Sequence, residues 1–438
     1  MKPRIFTPDR RQVLAGLAAS LGAPAAGFMA GGAAPLPTAQ VLLQARPTTL
    51  DLRPGQPATA IWELAAASHT GGVHLKRGDL CEVVFQNNLP VPLAPDWYGL
   101  SGAAAADPQR GRAPTAPGTT ETSTISISSA GTLLTDFRLF EDGLKQPARP
   151  LPIIAEETGL VTVDRDEVLL IEEWRLRPDG TAVPAGQDPK DTTALYTING
   201  QTSFELSASG NQRLRLRFIN GSQRSVLAIK LEGHEVRVMA LDGQPAEPFP
   251  ARNGVLVLAP GARADAFVDT TRSAQFLLHN GKEARRIGTL ALTGWLERRA
   301  PLLPPRPLPP NDLPERLDLK GALRLDVALG APDTGWARTA DFSTAPAPAF
   351  RTQAGRTVVL ALKNPAPVAT VFSLRGHHFR LLDKLDDGWK PYWLDTLAIE
   401  PGQTERIAFA ATSPGRWPIE SVVTDWSAPR LVRWYGVE

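Results

Sequence analysis

Residues 73–100 read VHLKRGDLCEVVFQNNLPVPLAPDWYGL. The apolar run at 80–85, the turn residues Asn87, Asn88 and Pro90, and the second apolar run into the corner Asp96-Trp97-Tyr98-Gly99-Leu100 describe strand, turn, strand. Further along, Thr122-Ser123-Thr124-Ile125-Ser126-Ile127-Ser128 alternates polar residues with isoleucines, the period of a half-buried strand. Between them SGAAAADPQRGRAPTAPGTTE has no period and many turn residues, and is expected to be a long surface loop.

The same theme repeats twice. VTVDRDEVLLIEEWRL, LYTINGQ, LRLRFINGS, GHEVRVMALDGQP and LAPGARADAFVD are short strands punctuated by NG, DG and PG turns, and TVVLALKNPAP, TVFSLRGHHFRLL and RWPIESVV form a third block. Arginines alternating with apolar residues in LRLRFI read most simply as the solvated face of a strand. The proline-rich APLLPPRPLPPNDLPER cannot join a central strand and reads as a semi-rigid linker. The expected layout is 35–157, 158–300 and 317–438 as three β-sandwich domains, with 301–316 between the last two. The fold class is all-β, three consecutive Greek-key β-sandwiches.

Composition agrees. In 438 residues there are 41 prolines and 37 glycines but three methionines, which favours short strands and turns over long helices. The 47 basic and 45 acidic residues nearly balance, without the basic block that nucleic-acid binding needs. The N-terminus places Arg10-Arg11 before an Ala/Gly-rich apolar run and small residues, the order of a cleavable twin-arginine export signal spanning 1–34. A retained membrane anchor is the weaker reading, because so much alanine and glycine is only mildly apolar. The mature chain is therefore expected to be periplasmic, with no transmembrane segment. Cys81 is the one cysteine, in a strand-like apolar run, and is expected to be a buried inert thiol.

Taken in order, these frames resemble the multicopper oxidases, proteins of three cupredoxin domains, over nearly the whole mature chain. The family carries HWHG and a histidine motif of the GTFWYHPH type in its first domain, then HPFHLHGHxF and a His-Cys-His motif in its third. This chain has DWYGL, AGTLLTDFRL, TVFSLRGHHFRLL and PGRWPIESVVTDWSAPRL in those places. The middle-block motifs INGQ, RLRFINGS, GHEVRVMALDGQP and LAPGARADAFVD resemble the family equally.

The resemblance implies copper, yet the ligand positions depart throughout. Asp96 and Tyr98 stand in the first histidine pair, Asp136 and Arg138 in the second, Ser373 and Arg375 in the third, and Glu420 and Val422 around Ser421 in the fourth. Those are the positions of the trinuclear cluster. The blue-copper positions carry Thr370, Ser421, Trp426 and Leu431. A trinuclear and a blue copper centre need imidazole and thiolate, so no metal ligand and no cofactor is expected to be retained. His377 and His378 are neighbours on an expected strand and would face opposite sides. His69 and His74 flank a glycine turn, His234 is expected in a strand and His279 at the end of another, and none has ligand spacing.

Under the family's geometry Asp96, Asp136 and Glu420 would gather with Arg138, Arg375, Tyr98 and Ser373 between the first and third domains. Buried carboxylates need partners, so an ion-pair and hydrogen-bond network with Arg138 and Arg375 is expected there, while Trp426 would fill the blue-copper void. A carboxylate pair for glycoside hydrolysis would require Asp96 and Glu420 to face an open cleft. No GxSxG, Walker loop or dinucleotide fingerprint is present.

The resemblance is closest in kind to the SufI-type periplasmic proteins, which combine a twin-arginine signal with loss of the copper ligands. It implies a non-catalytic structural or interaction protein whose partner is a periplasmic protein, the division machinery under envelope stress being the implied case. One alternative is a multicopper oxidase with an atypical copper site. The other is a scaffold for a different periplasmic partner, bound through the 103–117 loop or exposed strand edges.

Overall fold

Three pairs of β-sheets succeed one another along the chain. The computed structural model describes residues 37–66, 72–102, 113–139, 145–279, 282–295, 302–330, 335–339, 347–383 and 388–438. The export segment with Arg10 and Arg11, most of the 103–117 loop and His69 lie outside these, as does the side chain of Arg138. There is no α-helix among the described residues. The chain adopts the expected all-β architecture of consecutive cupredoxin-like Greek-key sandwiches.

In the first sandwich a five-stranded sheet runs in the order Thr120–Ser126, Leu80–Asn87, Ala39–Leu50, Thr59–Ala66, Ala148–Arg149. Against it packs a four-stranded sheet of Val73–Lys76, Leu151–Glu156, Gly131–Leu139 and Leu93–Tyr98. Leu80–Asn87 alternates strictly, so Cys81, Val83 and Phe85 enter the core while Glu82 and Gln86 do not. Burial pushes the Cys81 thiol up to about 11, which keeps it protonated and unreactive. The middle sandwich has seven and five strands, and the third four and six. Each has its own apolar cluster, and Val371 and Val422 of the third pack into the middle one.

One buried asparagine pattern recurs in all three sandwiches. Asn87 donates to the carbonyls of Val91 and Thr115 and accepts from Leu89 N–H. Asn220 donates to Ser225 and Leu258 and accepts from Ser222 N–H. Asn364 donates to Val368 and Ile399 and accepts from Ala366 N–H. Each side chain ties the turn that leaves a core strand to a neighbouring strand or segment, by hydrogen bonds to backbone groups of both.

The sandwiches meet closely. Gly131, at φ 134, lies against Gly243 of the middle sandwich, where a Cβ would come within 2.2 Å of the Gly243 carbonyl. The described part of the proline-rich segment, from 302, forms no strand but is fastened along its length. Leu308 packs with Met239 and Phe267, Arg77 donates to the Pro310 carbonyl and pairs with Asp312, and Asn311 bonds Ala130 of the first sandwich and Gln244 of the middle one.

Three expectations are corrected. Arg215 and Arg217 of LRLRFI are 1% and 2% exposed, not solvated. Arg215 holds Asp265 and Glu157, and Arg217 holds Asp166 and Asp265, with Asp166 and Asp265 supplied by the flanking strands of the same sheet and the face covered by the first sandwich through Thr132. Burial alone would raise Asp265, but Arg215 and Arg217 bring it below the ordinary carboxylate value. His377 and His378 are not on a strand: Thr370–Leu374 has ended, and Gly376 at φ 78 turns the chain. His234 sits in a turn before Arg237–Leu241, with Nδ1 3.2 Å from the Glu232 carbonyl.

Candidate functional site

Asp96 and Tyr98 are two residues apart on Leu93–Tyr98 and so share a face. Arg375 arrives opposite them from the end of Thr370–Leu374. Its Nε and Nη2 donate to the two Asp96 oxygens at 3.1 and 3.0 Å, and Nη2 also reaches Glu420 at 2.9 Å. The guanidinium carbon stands 3.6 Å from the centre of the Tyr98 ring. One planar cation thus uses its edge for two carboxylates and its face for an arene. Asp96, Arg375 and Glu420 are all nearly inaccessible to solvent.

The sheet registers supply the rest. Asp136 is directly opposite Asp96, and Glu420 directly opposite Ser373. Asp136 accepts from Phe137 N–H at 2.8 Å, and Arg430 lies 3.8 Å from it and 4.0 Å from Glu420. Burial raises the Asp136 carboxyl above its ordinary value, with Arg430 opposing. Burial, then Glu420, raises the Tyr98 phenol. Burial works against the Arg375 charge, but Asp96 and Glu420 overcome it and hold the guanidinium well above its usual value.

Ser373 stands apart from this group, its Oγ 3.4 Å from Thr396 Oγ1. The backbone of Arg138 pairs with Ala94, and its side chain lies outside the described residues. The cation that sequence reasoning missed is Arg430, three residues before Arg433 on the final strand, inside the fourth frame but at none of its ligand positions. Only its place beside Leu431 in PRL pointed to it.

The blue-copper positions divide. Leu431 joins the third core, opposite Ser421 across the sheet, and Thr370 donates to Asn364. Trp426 instead turns to the middle sandwich. Its indole N–H donates to the Pro184 carbonyl, Gly186 N–H donates to its own carbonyl, and Arg175 lies over its ring.

A second buried charge group was not read from the sequence. Arg263, with no exposed surface, donates to both oxygens of Asp395 at 3.0 and 2.7 Å and to the carbonyls of Thr132 and Gly261. Asp242 accepts from the backbone N–H groups of Arg263, Asp395 and Thr396. His378 lies 3.1 Å from the Asp242 carbonyl and 2.9 Å from Ser101 Oγ, so all three sandwiches meet here. Burial and the Asp395 charge push Asp242 up to about 7. His377 faces elsewhere, bonded to the Tyr435 hydroxyl and Ser413 N–H.

What can this centre do? A trinuclear copper cluster does not fit its donor set. Asp96 and Glu420 are clamped on Arg375, a side chain that stays charged in proteins and has no lone pair to give. The other position offers hydroxyls and aliphatic carbon where blue copper needs thiolate and imidazole. Among the described residues no group of three or more His, Cys, Asp or Glu side chains is arranged to hold a metal ion. Acid–base hydrolysis fits no better, since neither carboxylate faces solvent.

Comparison with known proteins gives consistent results. Family models described as multicopper oxidase match residues 165–297 and 316–437. The chain is 26% identical to Laccase-1 of Thanatephorus cucumeris over 263 residues, 53% of this chain and 45% of that one. It is 33% identical to copper resistance protein A of Pseudomonas syringae pv. tomato over 142 residues, 31% of this chain and 22% of that one. The matches thus span less than half the length of these two curated relatives. A crystal structure of a multi-copper oxidase from Pseudomonas thermotolerans superposes with a TM-score of 0.78 and 26% identity, covering 92% of this chain and all of that one.

Proposed function

The chain belongs to the multicopper oxidase family, and from that premise we propose that it keeps the family's fold without the oxidase chemistry. It is a copper-independent, non-catalytic structural or interaction protein, exported through its Arg10-Arg11 signal, as the SufI-type division and envelope-stress proteins are. The observation that carries this reading is the placement of Arg375 between Asp96 and Glu420. A fixed guanidinium at that point repels a metal cation and occupies the carboxylates that would otherwise attract one.

The test is metal analysis of purified protein after copper loading, with an absorbance scan and a phenol-oxidase assay. The expected result is substoichiometric copper, no blue band and no oxidation above background. Stoichiometric copper with a blue band would overturn the proposal in favour of an atypical oxidase. For the cellular role, a fluorescent fusion is expected at the septum of dividing cells; a uniform periplasmic signal favours a scaffold for another partner.

A further inference from the structure

Arg380–Leu382 is the edge strand of the third sandwich's four-stranded sheet. The chain returns beside it through bridges from Leu382 to Trp389 and from Phe379 to Leu394. That return carries Trp389, Tyr392 and Trp393. The guanidinium carbon of Arg380 lies 4.7 Å from the centre of the Trp393 ring and 5.6 Å from that of Trp389, and the Tyr392 ring reaches Phe249 of the middle sandwich at 6.2 Å. Trp389 and Tyr392 remain partly exposed.

What separates Arg380 from Arg215, Arg217, Arg263 and Arg375 is that each of those holds a carboxylate. The Arg380 guanidinium makes no ion pair among the described residues, and its Nε is buried without a hydrogen-bond partner. Burial lowers its pKa with no carboxylate offsetting the effect. The adjacent Lys390 already faces Asp383 at 3.7 Å. The two indole faces attract the cation but accept no hydrogen bond from its edge, which is left for an anion. Arginine, tryptophan and tyrosine are also the side chains that dominate protein interfaces energetically.

We infer that Arg380 with Trp389, Tyr392 and Trp393 is a docking site for an acidic peptide segment of a partner protein. The inference deepens the interaction-protein reading and rests on it. Charge complementarity selects the occupant: the guanidinium takes a Glu or Asp carboxylate, the partly exposed Trp389 and Tyr392 rings take the apolar side chains beside it, and the buried Trp393 backs the guanidinium from within the sandwich. A neutral glycan stacked on the tryptophans would leave the Arg380 charge unmet.

The probe is a short fluorescein-labelled peptide of alternating Glu and Phe, titrated into the full-length protein at low and moderate salt, beside its Gln/Phe twin. Binding of the Glu peptide that weakens with salt is expected. Arg380→Met should weaken it by about tenfold or more, and Arg380→Lys should fall between. Unfolding midpoints of the variants confirm that they are folded. Equal binding by wild type and Arg380→Met, equal binding of the Gln twin, no binding of either peptide, or binding of a chitin oligosaccharide that survives Arg380→Met would each overturn the site. Copper content is measured on the same preparation. A copper-loaded protein that binds the peptide overturns the non-catalytic reading alone, whereas a copper-free protein that ignores it overturns the docking site alone.

Discussion

Tyr98 presents the face of its ring to the Arg375 guanidinium at 3.6 Å, joining the first sandwich to the third through an arene and a cation. The contact is made where Asp96 and Glu420 already hold the same guanidinium, so charge, plane and edge are all used at once. Such a centre fixes how two sandwiches sit together, whatever its net contribution to stability.

Removing the cation should be expensive. Arg375→Met leaves Asp96 and Glu420 buried with their principal counter-charge gone, and the expected loss is about 3–5 kcal/mol. Urea unfolding measures it. Arg375→Lys keeps the charge but not the fork or the flat face, and should recover less than half. A lysine variant as stable as wild type would contradict the role given to the guanidinium plane.

The buried arginines of LRLRFI separate from surface ones by the same measurement. Arg215→Met takes the guanidinium from Glu157 and leaves Asp265 to Arg217 and Thr132, and is expected to cost about 3–5 kcal/mol. Arg46→Ala breaks an exposed pair with Glu63 and should change stability by less than about 1 kcal/mol. Similar effects from the two substitutions would restore the solvated-face reading.

Asn220→Ala removes two donors and one acceptor from a dry turn. The Leu258 carbonyl and the Ser222 N–H lose the Asn220 side chain, the Ser225 carbonyl keeps only Ser222 Oγ, and about 2–4 kcal/mol should go with them. Asn220→Asp should be little better, because a carboxylate cannot donate to those carbonyls. Calorimetry of both variants checks this.

Stability should fall on acidification through His377. Burial, with His378 adding to it, lowers its pKa to about 3, so the folded protein keeps it neutral while the unfolded chain protonates near 6.5. Below the unfolded value the unfolded state binds the extra proton. The stabilising term is therefore complete above about pH 6.5 and declines toward pH 3 by about 1.4 kcal/mol per pH unit. The wild-type curve minus that of His377→Gln isolates the term. A difference independent of pH between 6.5 and 4 would show that His377 is not held neutral.

Much of the fold was legible because period-two strands such as Leu80–Asn87 declare their buried face locally, and turn residues mark where each ends. LRLRFI was misread for a matching reason: alternation says that a face is polar, not that another sandwich covers it. Asp166 and Asp265 lie far from Arg215 and Arg217 in sequence and meet them only across the sheet, from the two strands that flank Arg213–Asn220, where Thr132 of the first sandwich covers the group. Likewise Asp96, Glu420 and Arg375 could be named from their motif frames, whereas Arg430, Arg263 and Asp395 stand at no ligand position. Trp426 could be placed but not aimed, since its partner Pro184 sits on a middle-sandwich loop that carries no motif.

Asn87, Asn220 and Asn364 repeat one bonding pattern in three modules, so one side-chain device closes the turn after a core strand three times over. The pattern serves a turn and its repeated bonds involve no site position, so it is set by the backbone groups that the turn buries and is independent of which side chains fill the centre between the sandwiches.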